Sequence, residues 1–368
     1  MLVLNEDQRM LMDSARGAIA AKAPIAMWRQ LRAAASPDGF SRTFWRECAE
    51  MGWTGVLVPQ EFGGIDFGVT GAGLIAREMA RTLAPSPFLS TAVLAASALR
   101  RSESAAAKAK WLPRIVSGEA IVAFAIDEGP RPTDQTQAMA VKSGQDWLVT
   151  AAKHFVLDGH VADAFLVESR RFAGTPALFL VEAGASGLTR DARTLVDNRR
   201  VASVALERVK LPQDAVLGGV SLIEATLDVG RAVVSAALCG VAEEAFARTM
   251  SYLKERKQFD RRIGSFQALQ HRAAKMHIDI ENSWSATLKA LLALDADAPS
   301  AAFDVAVAKA KASRTACEAT AECLQMHGGI GMTDEFDIGL FLKRARVDSV
   351  LFGDAAFHAD RIAMLLGY

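Results

Sequence analysis

Two clusters and one acid–histidine pair have residue types that could do chemistry. In YLKERKQFDRRIGSFQALQ, Arg256, Arg261 and Arg262 lie near a break signalled by DRR and Gly264. Guanidinium groups there offer phosphate oxygens planar donor forks; the other reading is a solvated basic face. Gln325 precedes Gly328, Gly329 and Gly331 at the junction of two helical patterns. Glycine backbone at that point lets a dinucleotide approach closely, or simply ends a helix in the left-handed conformation. His358 stands one helical turn beyond Asp354, as a helix-stabilising pair or as a catalytic dyad. His327 falls inside the glycine segment, where it either contacts a ligand or bonds to backbone. His271 and His277 are six residues apart and off a shared helical face, and none of the histidines makes a metal pair with a nearby acid.

These residues need elements to hold them. From Asp7 to about Gly118 apolar residues recur at helical spacing, broken at Pro37–Gly39, Pro59–Gly68 and Pro85–Pro87. A helix from Ser41 to about Met51 should start on a serine cap, bury Phe44, Trp45 and Cys48, and stop at Gly52. The following VPQEFGGIDFG reads as a turn-rich connector with an aromatic plug. From about Glu119 the texture becomes short and β-branched: IVAFAID, QAMAVKS, DWLVTAAKHFVL, AFLVES, ALFLVEA and VASVALERVKL predict a sheet or barrel, closed at LPQDAVLGG. Four long helical patterns follow, Ser221–Arg256, Phe266–Asp295, Pro299–Met326 and Glu335–Leu366, as expected of a four-helix bundle. Tyr252, Arg256, Phe259, Ile263, Phe266 and Gln270 form one stripe if their helix is continuous, and lose it if the chain breaks near Gly264. The reading is an α+β multidomain chain: N-terminal helical domain 1–119, middle β domain 120–216, C-terminal helical bundle 217–368.

Lys plus Arg and Asp plus Glu are both 42, so the formal net charge is zero and no global field draws the chain to nucleic acid or an anionic membrane. Cys48, Cys239, Cys317 and Cys323 form no CxxC or Cys/His metal spacing and are expected as buried reduced thiols. The start carries acids early and no leader pattern, and the apolar runs look too short to span a bilayer. A cytoplasmic protein is expected. The alanine-rich stripes of the bundle also suit burial between subunits.

The order helical domain, β domain, helical bundle resembles the flavin-dependent acyl-CoA dehydrogenase family over nearly the whole chain. The strings that carry the resemblance are GWTGVLVPQEFGG (Gly52–Gly64), LPRIVSGE (Leu112–Glu119), VKLPQDAVLG (Val209–Gly218), Tyr252–Gln270 and Gln325–Gly331. The resemblance implies FAD as cofactor. It places Arg256, Phe259, Gln267, Gln325 and Gly329, with Gly328 adjoining, at positions that bind the ADP and pyrophosphate part of FAD across a subunit interface. It also implies an acyl-CoA substrate, an electron acceptor, and a homo- or hetero-oligomer (dimer or tetramer) with a homologous chain. Asp260 departs from the pattern, standing where the family usually has glycine.

The family reaction removes the thioester's α proton with a carboxylate base and transfers the β hydride to flavin. Its usual glutamate, aligned through KRAR, falls on Gly353, and a one-residue shift gives Phe352. The alternative family position, just before Arg231, holds Gly230. Asp354 and Asp228 are the nearest acids. Asp354 is therefore the candidate base, although an acid near a helix start commonly caps it. In the β domain AFAIDEGPRPTD puts Asp127 at the family's threonine, and Phe155, Val156 and Leu157 replace the Trp-Ile-Thr beside the flavin ring. Three functions are compatible with this pattern: α,β-dehydrogenation of an acyl-CoA, as in fatty acid or sterol side-chain catabolism; a half-site subunit lending FAD-binding residues to a complete homologous chain; or a flavin oxidase or monooxygenase on the same fold.

Overall fold

The computed structural model describes residues 3–129, 132, 136–171 and 174–368. In chain order the helices are α1 (Glu6–Lys22), α2 (Ile25–Ala33), α3 (Arg42–Glu50), α4 (Val69–Arg81), α5 (Ala96–Arg101), α6 (Ala105–Val116) and, after the sheet, α7 (Val220–Glu255), α8 (Gln267–Asp295), α9 (Ala301–His327), α10 (Ile338–Val350) and α11 (Ala355–Leu365). The chain packs as two compact units. One comprises Met1–Ile25, Gly73–Ala84 and Arg231–Tyr368; the other comprises Ala26–Ala72 and Pro85–Gly230.

The second unit holds the sheet. Ser41 caps α3 by accepting the Phe44 N–H, the helix buries Phe44, Trp45 and Cys48, and Gly52 leaves it at φ +76°, as the sequence predicts. The connector after it is a chain of turns in which Phe62 and Phe67 are half-buried. Gly64 is obligatory there, because an added Cβ would meet the Val58 carbonyl oxygen at 1.9 Å. Strands β1 (Val122–Ala125), β2 (Met139–Ser143), β3 (Asp146–Leu157), β4 (Ala164–Arg170), β5 (Pro176–Glu182) and β7 (Arg200–Leu211) coincide with the six β-branched segments. Two further strands, β6 (Leu188–Thr194) and β8 (Val216–Gly219), complete a mixed sheet of order β6-β7-β3-β2-β4-β5-β8, with β1 parallel to β4. β6 (LTRDART) carries no apolar alternation because it is an edge strand pairing only with β7, and its exposed charges discourage pairing with another chain. β8 arises from VLGG, which the sequence reading treated as a boundary.

The first unit is helical. Gly240 of α7 lets α4 approach so closely that a Cβ would lie 2.1 Å from the Arg77 carbonyl oxygen. Arg77 then pairs with Glu243 at 2.7 Å and stacks over the Trp284 ring at 3.9 Å. α9 packs against α8, α10 and α11. The expected fourth helix is not continuous: Phe352 (φ +58°) and Gly353 (φ +106°) break it into α10 and α11. The apolar-run expectation is also corrected, since α7 is long and apolar enough by length and composition to cross a bilayer. In this fold 89% of its apolar window is buried.

Candidate functional site

Arginines 256, 261 and 262 belong to a break, not a stripe. α7 ends at Glu255, and Lys257–Gln258 (β9) pairs antiparallel with Arg261–Arg262 (β10) across a two-residue turn. Phe259 (φ +55°) and Asp260 (φ +59°) are both left-handed, as the tight mirror-image hairpin turns require. The turn lifts Phe259 to 84% exposure. Arg256 and Gln267 are exposed, and Arg256 makes no side-chain ion pair with any described residue. Arg261 lies over the Phe266 ring at 4.0 Å, and Phe259 meets that ring edge-on.

The glycine segment leaves from an aromatic cluster of its own, which includes Tyr252 from the last turn of α7. Tyr252 stacks on His327 with centroids 4.4 Å apart, and Phe336 packs on both. His327 is a core residue: its Nδ1 lies 2.7 Å from the Cys323 carbonyl oxygen, and burial lowers its pKa. Gly328 is the helix stop at φ +66°. Gly331 is a packing glycine, 2.9 Å from the Leu324 carbonyl oxygen by its missing Cβ. Gly329 answers to neither need. Its φ is ordinary, a Cβ there would touch nothing, and both it and Gln325 are exposed.

The turn 351–354 is gripped from below. Arg231 Nε donates to the Phe352 carbonyl at 3.2 Å, and His358 Nε2 lies 3.1 Å from the same oxygen. Lys309, fully buried, donates to the Ser349 carbonyl at 3.0 Å, the Gly353 carbonyl at 2.9 Å and Ser313 Oγ at 2.9 Å. Gly353, one of the two residues that the family resemblance sets at the base position, the other being Phe352, has no room for a side chain: its Cβ would fall 2.3 Å from Phe357 Cδ1. Asp354 is the N-cap of α11, with Oδ1 accepting the Phe357 N–H at 2.8 Å. His358 is therefore bound to the turn's backbone. Sequence reading missed Lys309, whose only signal is a lysine inside the apolar pattern of α9.

In the sheet unit Lys153 Nζ, fully buried, donates to Glu128 Oε1 at 2.7 Å, to the Ile126 carbonyl and to Thr136 Oγ1. Thr136 and the Gln137 N–H also donate to Glu128. Burial would raise the Glu128 pKa, but these hydrogen bonds draw it down to about 2. Burial pushes Asp127 up to about 6 despite Lys153 nearby. Phe155 sits at a β-bulge with φ +55° and is half exposed. Residues 130, 131, 133 and 134 of AFAIDEGPRPTD lie outside the described residues.

Comparison with known proteins bears on the fold as a whole. The model of the acyl-CoA dehydrogenase N-terminal domain matches residues 5–119, and that of the C-terminal domain matches residues 218–367. The chain is 30% identical over 323 residues to the acyl-CoA dehydrogenase FadE12 of Mycobacterium tuberculosis, covering 82% of each. It is 30% identical over 353 residues to the acyl-CoA dehydrogenase IpdE2 of the same organism, covering 92% of this chain and 91% of the relative. Among solved structures, a chain of the ChsE4-ChsE5 complex from Mycobacterium tuberculosis superposes with a TM-score of 0.91 at 27% identity, covering 100% of this chain and 98% of the other.

Proposed function

The chain belongs to the acyl-CoA dehydrogenase family, and within it we propose that this chain is a half-site subunit. It lends Arg256, Phe259, Gln267, Gln325 and the backbone of Gly328 and Gly329 to the FAD site of a homologous catalytic partner. The observation that carries the reading is Gly353: the base position has no volume for a carboxylate, and the acid beside it is committed to capping α11. Gly230 leaves the alternative position equally without one.

The donor set suits the nucleotide half of FAD. Arg256 is exposed and unpaired among the described residues, and so can meet a pyrophosphate. Gln325 offers an amide, and Gly329 an open backbone that its own chain does not need to be glycine. Phe259 supplies an exposed apolar ring. The ring-facing half departs further, since Asp127 holds a carboxyl where a hydroxyl is usual. FAD, when bound, supplies the acceptor for the β hydride; this chain's part is to bind and orient it. The assembly is a cytoplasmic dimer or tetramer acting on an acyl-CoA of fatty acyl or sterol side-chain type and passing electrons to a separate acceptor. A relative described as a two-chain complex, ChsE4-ChsE5, supports pairing with a homologous chain.

The test is to purify the chain alone and with homologous candidate partners, then measure flavin absorbance per chain and flavin reduction by acyl-CoAs. Low flavin alone, with flavin and reduction appearing on pairing, is the expected result. Full flavin occupancy with rapid reduction by the lone chain overturns the half-site reading and restores Asp354 as the candidate base. Arg256→Ala in the complex should release FAD, and unchanged flavin content would remove the pyrophosphate assignment.

A further inference from the structure

We propose that Lys309 is the positioning residue of the 351–354 turn, and that Ser313 lets it hold that turn equally well as an ammonium ion or as a neutral amine. The geometry at Nζ carries the argument. Three acceptors surround it: the Ser349 carbonyl at 3.0 Å, the Gly353 carbonyl at 2.9 Å and Ser313 Oγ at 2.9 Å. Ser313 Oγ also lies 3.2 Å from the Ser349 carbonyl oxygen.

An ammonium ion uses three N–H donors, one to each neighbour, while the Ser313 hydroxyl turns its proton to the Ser349 carbonyl. A neutral amine keeps two N–H donors on the two carbonyls and offers its lone pair to the Ser313 proton. Release to solvent of the ammonium proton that faces Ser313, with rotation of the Ser313 hydroxyl hydrogen into its place, converts the first network into the second with every group satisfied. A third carbonyl in place of Ser313 would be left without a donor whenever the amine is neutral. The titratable groups acting on Nζ are Arg231 of α7, Cys317 of α9 itself, Asp348 of α10 and Asp354 of the turn, with His358 of α11 also within its field. Burial is the largest influence and draws the amine down to about 7, in the range where both networks are used.

The consequence is a turn of fixed shape and variable charge. Behind the turn where a catalytic relative is expected to carry an acid, this chain holds a buried amine that gains or loses a proton without moving the backbone. The proposal does not depend on the half-site reading, and flavin plays no part in its test.

The full chain is labelled with carbon-13 at lysine Cε and titrated by NMR, alongside hydrogen exchange at residues 351–357. One lysine should titrate near neutrality, far below the others, and exchange corrected for its intrinsic pH dependence should stay flat through that midpoint. Lys309→Met should remove the resonance. Ser313→Ala removes a partner that only this lysine touches, so it identifies the resonance even if the methionine variant fails to fold; it should lower the midpoint and speed exchange of the turn about tenfold. Titration of Lys309 together with the surface lysines overturns the proposal. So does exchange in the unaltered chain that rises in step with its deprotonation.

Discussion

A Cβ added to Gly353 would lie 2.3 Å from Cδ1 of Phe357, at a residue whose φ is +106°. Two penalties therefore coincide: a backbone region that side chains rarely adopt, and an aromatic ring in the way. Gly353→Glu, which puts a glutamate where the family resemblance expects the base, should destabilise the chain by about 2–5 kcal/mol and lower its urea midpoint. Adding Phe357→Ala should return the steric share of that loss and leave the backbone share. An unchanged midpoint for Gly353→Glu would mean that the turn relaxes, and that the missing base is a matter of sequence rather than shape.

His358 should make the helical unit acid-sensitive. Its Nε2 faces the Phe352 carbonyl, so that nitrogen carries the proton, and Nδ1 is buried with no acceptor among the described residues. A second proton has nowhere to bond. Burial, with Lys309 and Arg231 adding repulsion, pushes the pKa from 6.5 down to about 3. Below 6.5 the unfolded chain takes up a proton that the folded chain refuses, so stability falls as pH drops from 6.5 toward 3. Thermal melts of His358→Gln, which keeps a donor for Phe352 and does not titrate, should lose that part of the slope.

Much of this architecture was legible because it rests on local signals. Ser41 and Gly52 bracket α3 with a cap and a left-handed stop, and six strands announced themselves through β-branched residues. β6 was illegible because an exposed edge strand has no buried face to impose alternation. The break at Phe352 was hidden for a different reason: a phenylalanine at φ +58° is dictated by the tertiary grip of Arg231, Lys309 and His358 on the turn's carbonyls. The same limit applies to the candidate site. Exposed residues such as Arg256 and Gln325 could be named from type and motif, whereas the volume closed by Phe357 depends on packing across a helix start.

The sheet unit has its own acid response. Glu128 is held ionised by Lys153, Thr136 and the Gln137 N–H, down to about 2 against an ordinary 4.5. A carboxylate with a depressed folded pKa contributes stability that is complete above 4.5 and fades as pH falls toward 2. Glu128→Gln should therefore flatten the acid limb of unfolding in this range while leaving the His358-dependent limb above it. Lys153→Met should cost more, about 3–5 kcal/mol at neutral pH, because it strips the principal partner from a largely buried carboxylate. Equal losses from the two substitutions would argue that the surrounding N–H and hydroxyl donors, not the ammonium, hold Glu128.

Asp260 carries a conformational cost that its family's usual glycine avoids. The β9–β10 turn needs positive φ at both central positions, and here they are Phe259 at +55° and Asp260 at +59°. Aspartate tolerates the left-handed region better than most side chains but less well than glycine. Asp260→Gly should stabilise the hairpin by about 0.5–1 kcal/mol, and Asp260→Val should weaken it by more. Because the hairpin is exposed, global melting is a poor gauge of it. Hydrogen exchange at the Ile263 N–H, which donates to the Arg256 carbonyl at 2.9 Å across the base of the hairpin, reads it directly. Exchange there should slow in the glycine variant and quicken in the valine variant. The glycine also removes an acid from among Arg256, Arg261 and Arg262, so the half-site proposal expects FAD to be retained more tightly when the variant is paired with a homologous chain. Slower exchange without better retention would separate the shape of the turn from its charge.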